Sequence, residues 1–266
     1  MIPTSLGLPE RPPKPRRTGL TTIIDNGLPR GLFQDYFQSA SHLVDYVKFG
    51  WGTSLVTRQL ADKLATLREL DIEFFFGGTL FEKFLSRNAF DDFRAYCHSW
   101  GCRHVEVSNG TVDLPNDEKA RYVEKLSGEF EVFSEVGCKD PARSETQTVE
   151  DWVGFIHQDF EAGASYVVAE ARESGRSGIC HPDGGLRQDL VEGILTAADV
   201  GRLIFEAPTK DLQTWFVRRV GTNVNLGNIA PGDVLGLETL RLGLRSDTLL
   251  GLETLRLGLR SDTLLP

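Results

Sequence analysis

The sequence predicts a single (β/α)8 barrel of the TIM type. Eight short apolar or β-branched runs follow one another from Thr18 onward, each ending in a polar residue or glycine. Helical patterns separate them. Once the two ends of the chain are set aside, about 230 residues remain, an ordinary size for one barrel. Near-continuous apolar runs suit parallel strands buried on both faces. A doubly wound open sheet is the main alternative. It is weakened because no GxGxxG follows the first run.

The eight runs are TTIID (21–25), YVKFG (46–50), EFFFGG (73–78), HVEVS (104–108), EVFSEVG (131–137), YVVAEA (166–171), LIFEAP (203–208) and VNLG (224–227). Helices are expected over 56–70, 81–100, 116–126, 149–162, 189–200, 211–220 and 231–244. In the first of these, Leu60, Leu64 and Leu67 form one stripe. Phe84, Leu85, Phe93 and Tyr96 mark the second. Asn116, Asp117 and Glu118 suit a helix start. Leu237, Leu240 and Leu244 give the last helix an apolar face.

The ends read differently. Residues 1–17 carry five prolines and the basic residues Arg11, Lys14, Arg16 and Arg17, which predict a flexible tail. Residues 236–250 (GLETLRLGLRSDTLL) recur unchanged at 251–265. The expected division is therefore a tail over 1–17, a barrel over 18–250 and a surplus duplicated segment over 251–266.

Composition excludes several classes. With 29 basic against 38 acidic residues the formal net charge is −9. Such a chain lacks the broad positive field that nucleic-acid binding needs. No apolar run reaches membrane-spanning length, and no signal-peptide core is visible. Cys97, Cys102, Cys138 and Cys180 match neither a zinc pattern nor CxxC. Reduced thiols in a cytoplasmic protein are expected.

Barrel enzymes build their sites at the C-terminal ends of the strands. Four successive runs place a glutamate there: Glu106, Glu135, Glu170 and Glu206. Neighbouring strands lie about 4.8 Å apart, so these carboxylates repel unless something positive intervenes. A hard divalent cation, Mg²⁺ or Mn²⁺, is the simplest answer. Salt bridges to Lys48, Lys139, Arg172 or Lys210 are the alternative. Lys139, just beyond the fifth strand, is either an ion-pair partner or a proton donor and acceptor. Ser174-Gly175-Arg176-Ser177-Gly178 combines backbone N–H groups, hydroxyls and a guanidinium, which suits an oxyanion. A plain surface loop explains the same string.

The strings DYVKFGWGTS, FFFGGTLFE, VEVSNGT, SEVGCK, EARESGRSGI, FEAPTKDLQTWF and NLGNIAPGDVLGLETLRLGLRSDTL resemble those of phosphosulfolactate synthases, from about Arg17 to about Leu250. The resemblance implies a Mg²⁺-dependent barrel that forms trimers. It also implies addition of sulfite to phosphoenolpyruvate, giving (2R)-O-phospho-3-sulfolactate, a step of coenzyme M or sulfolactate biosynthesis. In SEVGCK it implies an acid role for Lys139. Lys48, Arg172, Arg176, Ser177, Gly178 and Lys210 become candidates for holding the anions, and Glu106, Glu135, Glu170 and Glu206 candidates for the metal. Two rivals share the scaffold: a non-catalytic heat-stress-associated interaction protein, and another phosphoenolpyruvate-using enolate enzyme.

Overall fold

The computed structural model describes residues 4–249; the second copy of the repeat lies outside them. Eight parallel strands form one sheet in the order β3-β2-β1-β8-β7-β6-β5-β4. They are β1 (Thr21–Asp25), β2 (Tyr46–Phe49), β3 (Glu73–Phe76), β4 (His104–Val107), β5 (Glu131–Val136), β6 (Tyr166–Ala169), β7 (Leu203–Glu206) and β8 (Leu226–Ile229). β1 bonds to both β2 and β8, and β3 meets β4 to close the barrel. The barrel expected from the sequence is the barrel observed.

Among the described residues ten α-helices wrap it: α1 (Arg30–Ala40), α2 (Leu60–Glu69), α3 (Gly78–Leu85), α4 (Phe90–Ser99), α5 (Asn116–Ser127), α6 (Pro141–Thr146), α7 (Val149–Glu161), α8 (Gln188–Ala197), α9 (Lys210–Val220) and α10 (Val234–Arg241). Several boundaries differ from expectation, three of them for a clear local reason. The helix expected over 81–100 is broken into α3 and α4, where Asn88 adopts a left-handed φ of 55°. The last helix stops at Arg241, because Gly243 is left-handed (φ 68°), and Leu244 is consequently exposed. The eighth strand begins two residues later than its sequence run. Asn225 thus falls at the lower end of the barrel, accepting from the Leu20 N–H at 3.0 Å, while Asn228 reaches the upper end.

Two apolar layers follow from the two-residue pleat. Val47, Phe49, Val105, Val107, Val132, Val167, Leu203 and Phe205 face the helices. Leu20, Phe75, Phe133, Tyr166, Val168 and Ile204 fill the barrel interior. Each site side chain stands two residues beyond an inward-facing one: Lys48 after Tyr46, Glu135 after Phe133, Glu170 after Val168 and Glu206 after Ile204. The pleat therefore points these charges into the barrel above an apolar plug.

Three of the four basic residues assigned to a flexible tail, Arg11, Lys14 and Arg16, are anchored instead, while Arg17 is exposed. Arg16 Nε meets Asp45 Oδ1 at 2.9 Å with both side chains buried. Arg11 pairs with Glu238 at 2.9 Å, and Lys14 donates to the carbonyls of Ser41 and Asp71. Countercharges and carbonyls at the barrel floor, invisible in the linear sequence, explain the difference. All four cysteines are buried free thiols. No helix among the described residues is long and apolar enough to cross a membrane.

Candidate active site

The mouth is a small cleft open to solvent. Among its lining residues are Lys48, Glu106, Glu135, Lys139, Glu170 and Glu206, together with Trp51, Arg172 and Asn228. The four sequence-predicted glutamates and both lysines thus converge.

Their partners are unequal. Lys48 Nζ sits among three carboxylates: Glu106 at 2.9 Å, Glu206 at 3.3 Å and Glu135 at 3.4 Å. Glu106 also accepts from the Gly78 N–H at 2.5 Å, and Glu206 from the Ala171 N–H at 2.9 Å. Both are therefore engaged at each oxygen. Glu135 spans the two lysines, with Lys139 at 3.2 Å. Glu170 differs from all of them: neither of its buried carboxylate oxygens has a hydrogen-bond partner.

Electrostatics follow from this. Burial pushes the Glu170 carboxyl well above its ordinary range, and the nearby Glu135 pushes it further. Burial also raises Glu106, to about 7 despite Lys48. Glu206 is raised chiefly by burial. Burial opposes the charge on Glu135 too, but Lys139 and Lys48 outweigh it and hold that carboxyl at about 2. For Lys139, burial alone disfavours the ammonium; Glu135, Glu170 and Glu82 overcome it and raise the pKa. The result is an ammonium at the mouth beside carboxylates that are short of positive charge.

The local sequence explains how Glu170 is held. Gly137 has φ 144°, and a Cβ there would lie 2.7 Å from the Glu170 Cβ. Gly178 has φ 63°, and its Cβ would come within 1.9 Å of the Glu170 carbonyl oxygen. Both glycines let backbone close tightly around this residue.

That geometry re-reads the loop expected to cradle an anion. The Ser177 hydroxyl donates to the Cys138 carbonyl at 2.6 Å, and the Gly178 N–H donates to Ser144 Oγ at 2.9 Å. Arg176 is exposed. Lys210 pairs with Asp247 at 3.0 Å. None of these four lines the mouth cleft, whereas Lys48 and Arg172 do. Arg172 donates to the Lys139 carbonyl at 3.2 Å and has a left-handed φ of 58°.

One participant was missed. Glu82 in α3 accepts from the N–H groups of Thr111 and Val112, both at 2.8 Å, and approaches Lys139 at 3.7 Å. Its only sequence signal is an acid among apolar residues in GTLFEKFL.

Could a divalent cation fit? Among the described residues no three His, Cys, Asp or Glu side chains form a ready metal cage. Lys48 takes the central place between Glu106, Glu135 and Glu206. Glu170, with two unpartnered oxygens on the cleft, does fit a hard cation of the kind held by one or two carboxylates, water and substrate. The four-glutamate set thus narrows to Glu170, with Glu135 beside it.

A parallel barrel with its ionisable residues gathered at the C-terminal ends of the strands has the layout of a (β/α)8 enzyme. Residues 9–247 match the family described as (2R)-phospho-3-sulfolactate synthase (ComA). The chain belongs to that family. It is 52% identical over 245 residues to a phosphosulfolactate synthase of Bacillus subtilis (strain 168), covering 92% of this chain and 97% of the relative. A phosphosulfolactate synthase of Methanothermobacter thermautotrophicus is 40% identical over 245 residues, covering 91% and 95%. The YdjI aldolase of Escherichia coli K12 superposes with a TM-score of 0.53 at 12% identity, covering 91% of each chain, a likeness of fold alone.

Proposed function

We propose that this protein is a phosphosulfolactate synthase that joins sulfite to C3 of phosphoenolpyruvate. Sulfite sulfur supplies the electron pair of the new C–S bond. The double-bond pair moves to C2 and into the carboxylate, and one proton must then reach C2 on a single face. Family membership supports the reaction class. The observation that carries the residue assignment is Lys139, an ammonium on the cleft 3.2 Å from Glu135 and close to the unpartnered Glu170.

In this reading Lys139 protonates C2. Lys48 and Arg172 offset the negative charge of the two substrates. Glu170, helped by Glu135, holds Mg²⁺, which when bound stabilises charge developing on the substrate carboxylate. The carboxylates around Lys139 make it a reluctant acid. Drawing their charge elsewhere weakens that hold, so the same side chains both keep the proton and govern its release. Trimer formation and a cytoplasmic setting complete the reading. Light scattering tests the first.

Incubation with phosphoenolpyruvate, sulfite and Mg²⁺, followed by phosphorus NMR, tests the activity. A new phosphorylated sulfonate is expected. Its absence, with phosphoenolpyruvate unchanged, overturns the proposal. The interaction-protein reading has in its favour only a more distant likeness, 24% identity over 259 residues to Protein HEAT-STRESS-ASSOCIATED 32 of Arabidopsis thaliana, against 52% to a phosphosulfolactate synthase.

A further inference from the structure

β8 contains an irregularity that the reaction outlined above leaves unexplained. Leu226 pairs with Thr21 and Ile229 pairs with Ile23. Gly227 and Asn228 therefore stand opposite the single residue Thr22, which is a β-bulge. Bulges bend a strand and re-aim a side chain, and they gather near active sites.

Asn228 is the residue re-aimed. Its φ is 54°, in the left-handed region. It is 6% exposed, and it lines the mouth cleft together with Lys48, Glu170 and Glu206. Its buried Oδ1 has no hydrogen-bond partner, and its Nδ2 makes no hydrogen bond among the described residues. Beneath it lies a second, smaller cavity of about the size that holds one water. Thr22 Oγ1, also buried and unpartnered, lines the same cavity. A buried carbonyl oxygen without a partner is unfavourable, and a left-handed non-glycine residue adds strain. Both persist here because the strand is bulged to put this side chain at the cleft.

We propose that Asn228 is a substrate-binding residue whose carboxamide N–H donates to an anionic oxygen of phosphoenolpyruvate. Its oxygen turns downward, where a water shared with Thr22 holds the amide plane. The neutral amide suits this place: it binds an anion without adding a further cation to a mouth already lined by Lys48, Lys139 and Arg172. A carboxylate of the same shape would instead repel the substrate. The assignment rests on the mouth being the phosphoenolpyruvate site.

Two variants test it. Asn228→Gly keeps the left-handed backbone and removes the amide; Asn228→Asp keeps the shape and reverses the polarity. Phosphoenolpyruvate binding is measured by calorimetry with Mg²⁺ and without sulfite, and melting temperature is measured alongside. Binding is expected to weaken at least tenfold in Asn228→Gly and further in Asn228→Asp. The glycine variant is expected to melt no lower than the wild type, since the left-handed strain of a non-glycine residue is removed. Wild-type-like affinity in either variant, within twofold, overturns the assignment, whatever happens to the melting temperature. If the wild-type protein itself fails to bind phosphoenolpyruvate, the underlying reading falls and this one falls with it.

Discussion

At the floor of the barrel Arg16 and Asp45 meet at 2.9 Å, and Asp45 also accepts from the Thr21 N–H at 2.8 Å. Arg241, fully buried, is held by the carbonyls of Thr222, Val224 and Leu20. At the mouth, one strand-length away, Lys48 serves three carboxylates while neither carboxylate oxygen of Glu170 has a hydrogen-bond partner. Both regions bury charge at similar depth. The floor pairs Arg16 with a carboxylate and gives Arg241 three carbonyls, with only the Arg241 Nε left unpartnered, and so ties the N-terminal segment to the barrel. The mouth is left under-neutralised, which destabilises the empty fold but leaves carboxylate and ammonium groups free to act on a ligand. Buried charge by itself therefore identifies neither stability nor function; the match between charges and partners separates the two.

That contrast can be broken at either end. The largest effect is expected from Lys139→Ala, with turnover reduced at least about 10³-fold, the upper part of the general-acid range. Its melting temperature should stay near wild type. Near-normal turnover in a product assay would remove the lysine from the chemistry. At the floor, Arg16→Met leaves Asp45 buried without its cation. It should lose about 3 kcal/mol of stability in urea unfolding, with kcat unchanged. A drop in kcat without a drop in stability would erase the distinction between the two ends.

Glu170→Gln sharpens the comparison further. Turnover should fall about 100-fold, roughly 2.7 kcal/mol in the barrier, and half-saturation by Mg²⁺ should rise. Melting temperature should hold or increase, because a poorly partnered carboxyl has been neutralised. A destabilised Glu170→Gln protein would place this residue with the floor's structural charges.

The pH dependence of the metal-free protein gives a smaller signal. Folding raises the Glu106 carboxyl to about 7, so the folded state binds its proton more tightly than the unfolded chain. Its contribution is complete below the ordinary carboxyl range and is lost as pH rises from about 4.5 toward 7. A melting curve series should show a decline of a few degrees over that window, about 2–4 °C for each kcal/mol lost. Glu106→Gln should reduce it, the remainder coming from Glu170 and Glu206, which burial also raises; an equal decline in that variant would remove Glu106 from it. Arg176→Ala should change least, within about twofold in kcat/KM, as for an exposed side chain remote from the chemistry. A tenfold loss would bring the 174–178 loop back into the site.

Much of this architecture was legible beforehand. The eight runs identified all eight strands, because strands buried on both faces leave a continuous apolar signature. Six of the expected helices lie wholly or largely where helices are found; α1 was not singled out, and 81–100 proved to be two. The four glutamates, Lys48 and Lys139 could be placed at the mouth because strand ends and the two-residue pleat are local properties. Arg176, Ser177, Gly178 and Lys210 could not be judged that way. Their hydrogen bonds and ion pairs run to Cys138, Ser144 and Asp247, and Gly178 serves the backbone around Glu170.

By itself, then, the sequence determined the barrel, the order of its strands along the chain and the ring of acids at their ends. Periodicity and strand polarity are written into neighbouring residues. Only the tertiary structure decided which acids are neutralised, that Arg16 finds Asp45, that Glu82 approaches Lys139 and that a bulge turns Asn228 into the cleft. Each of those depends on partners distant in sequence, brought together by barrel closure and by a register shift of a single residue.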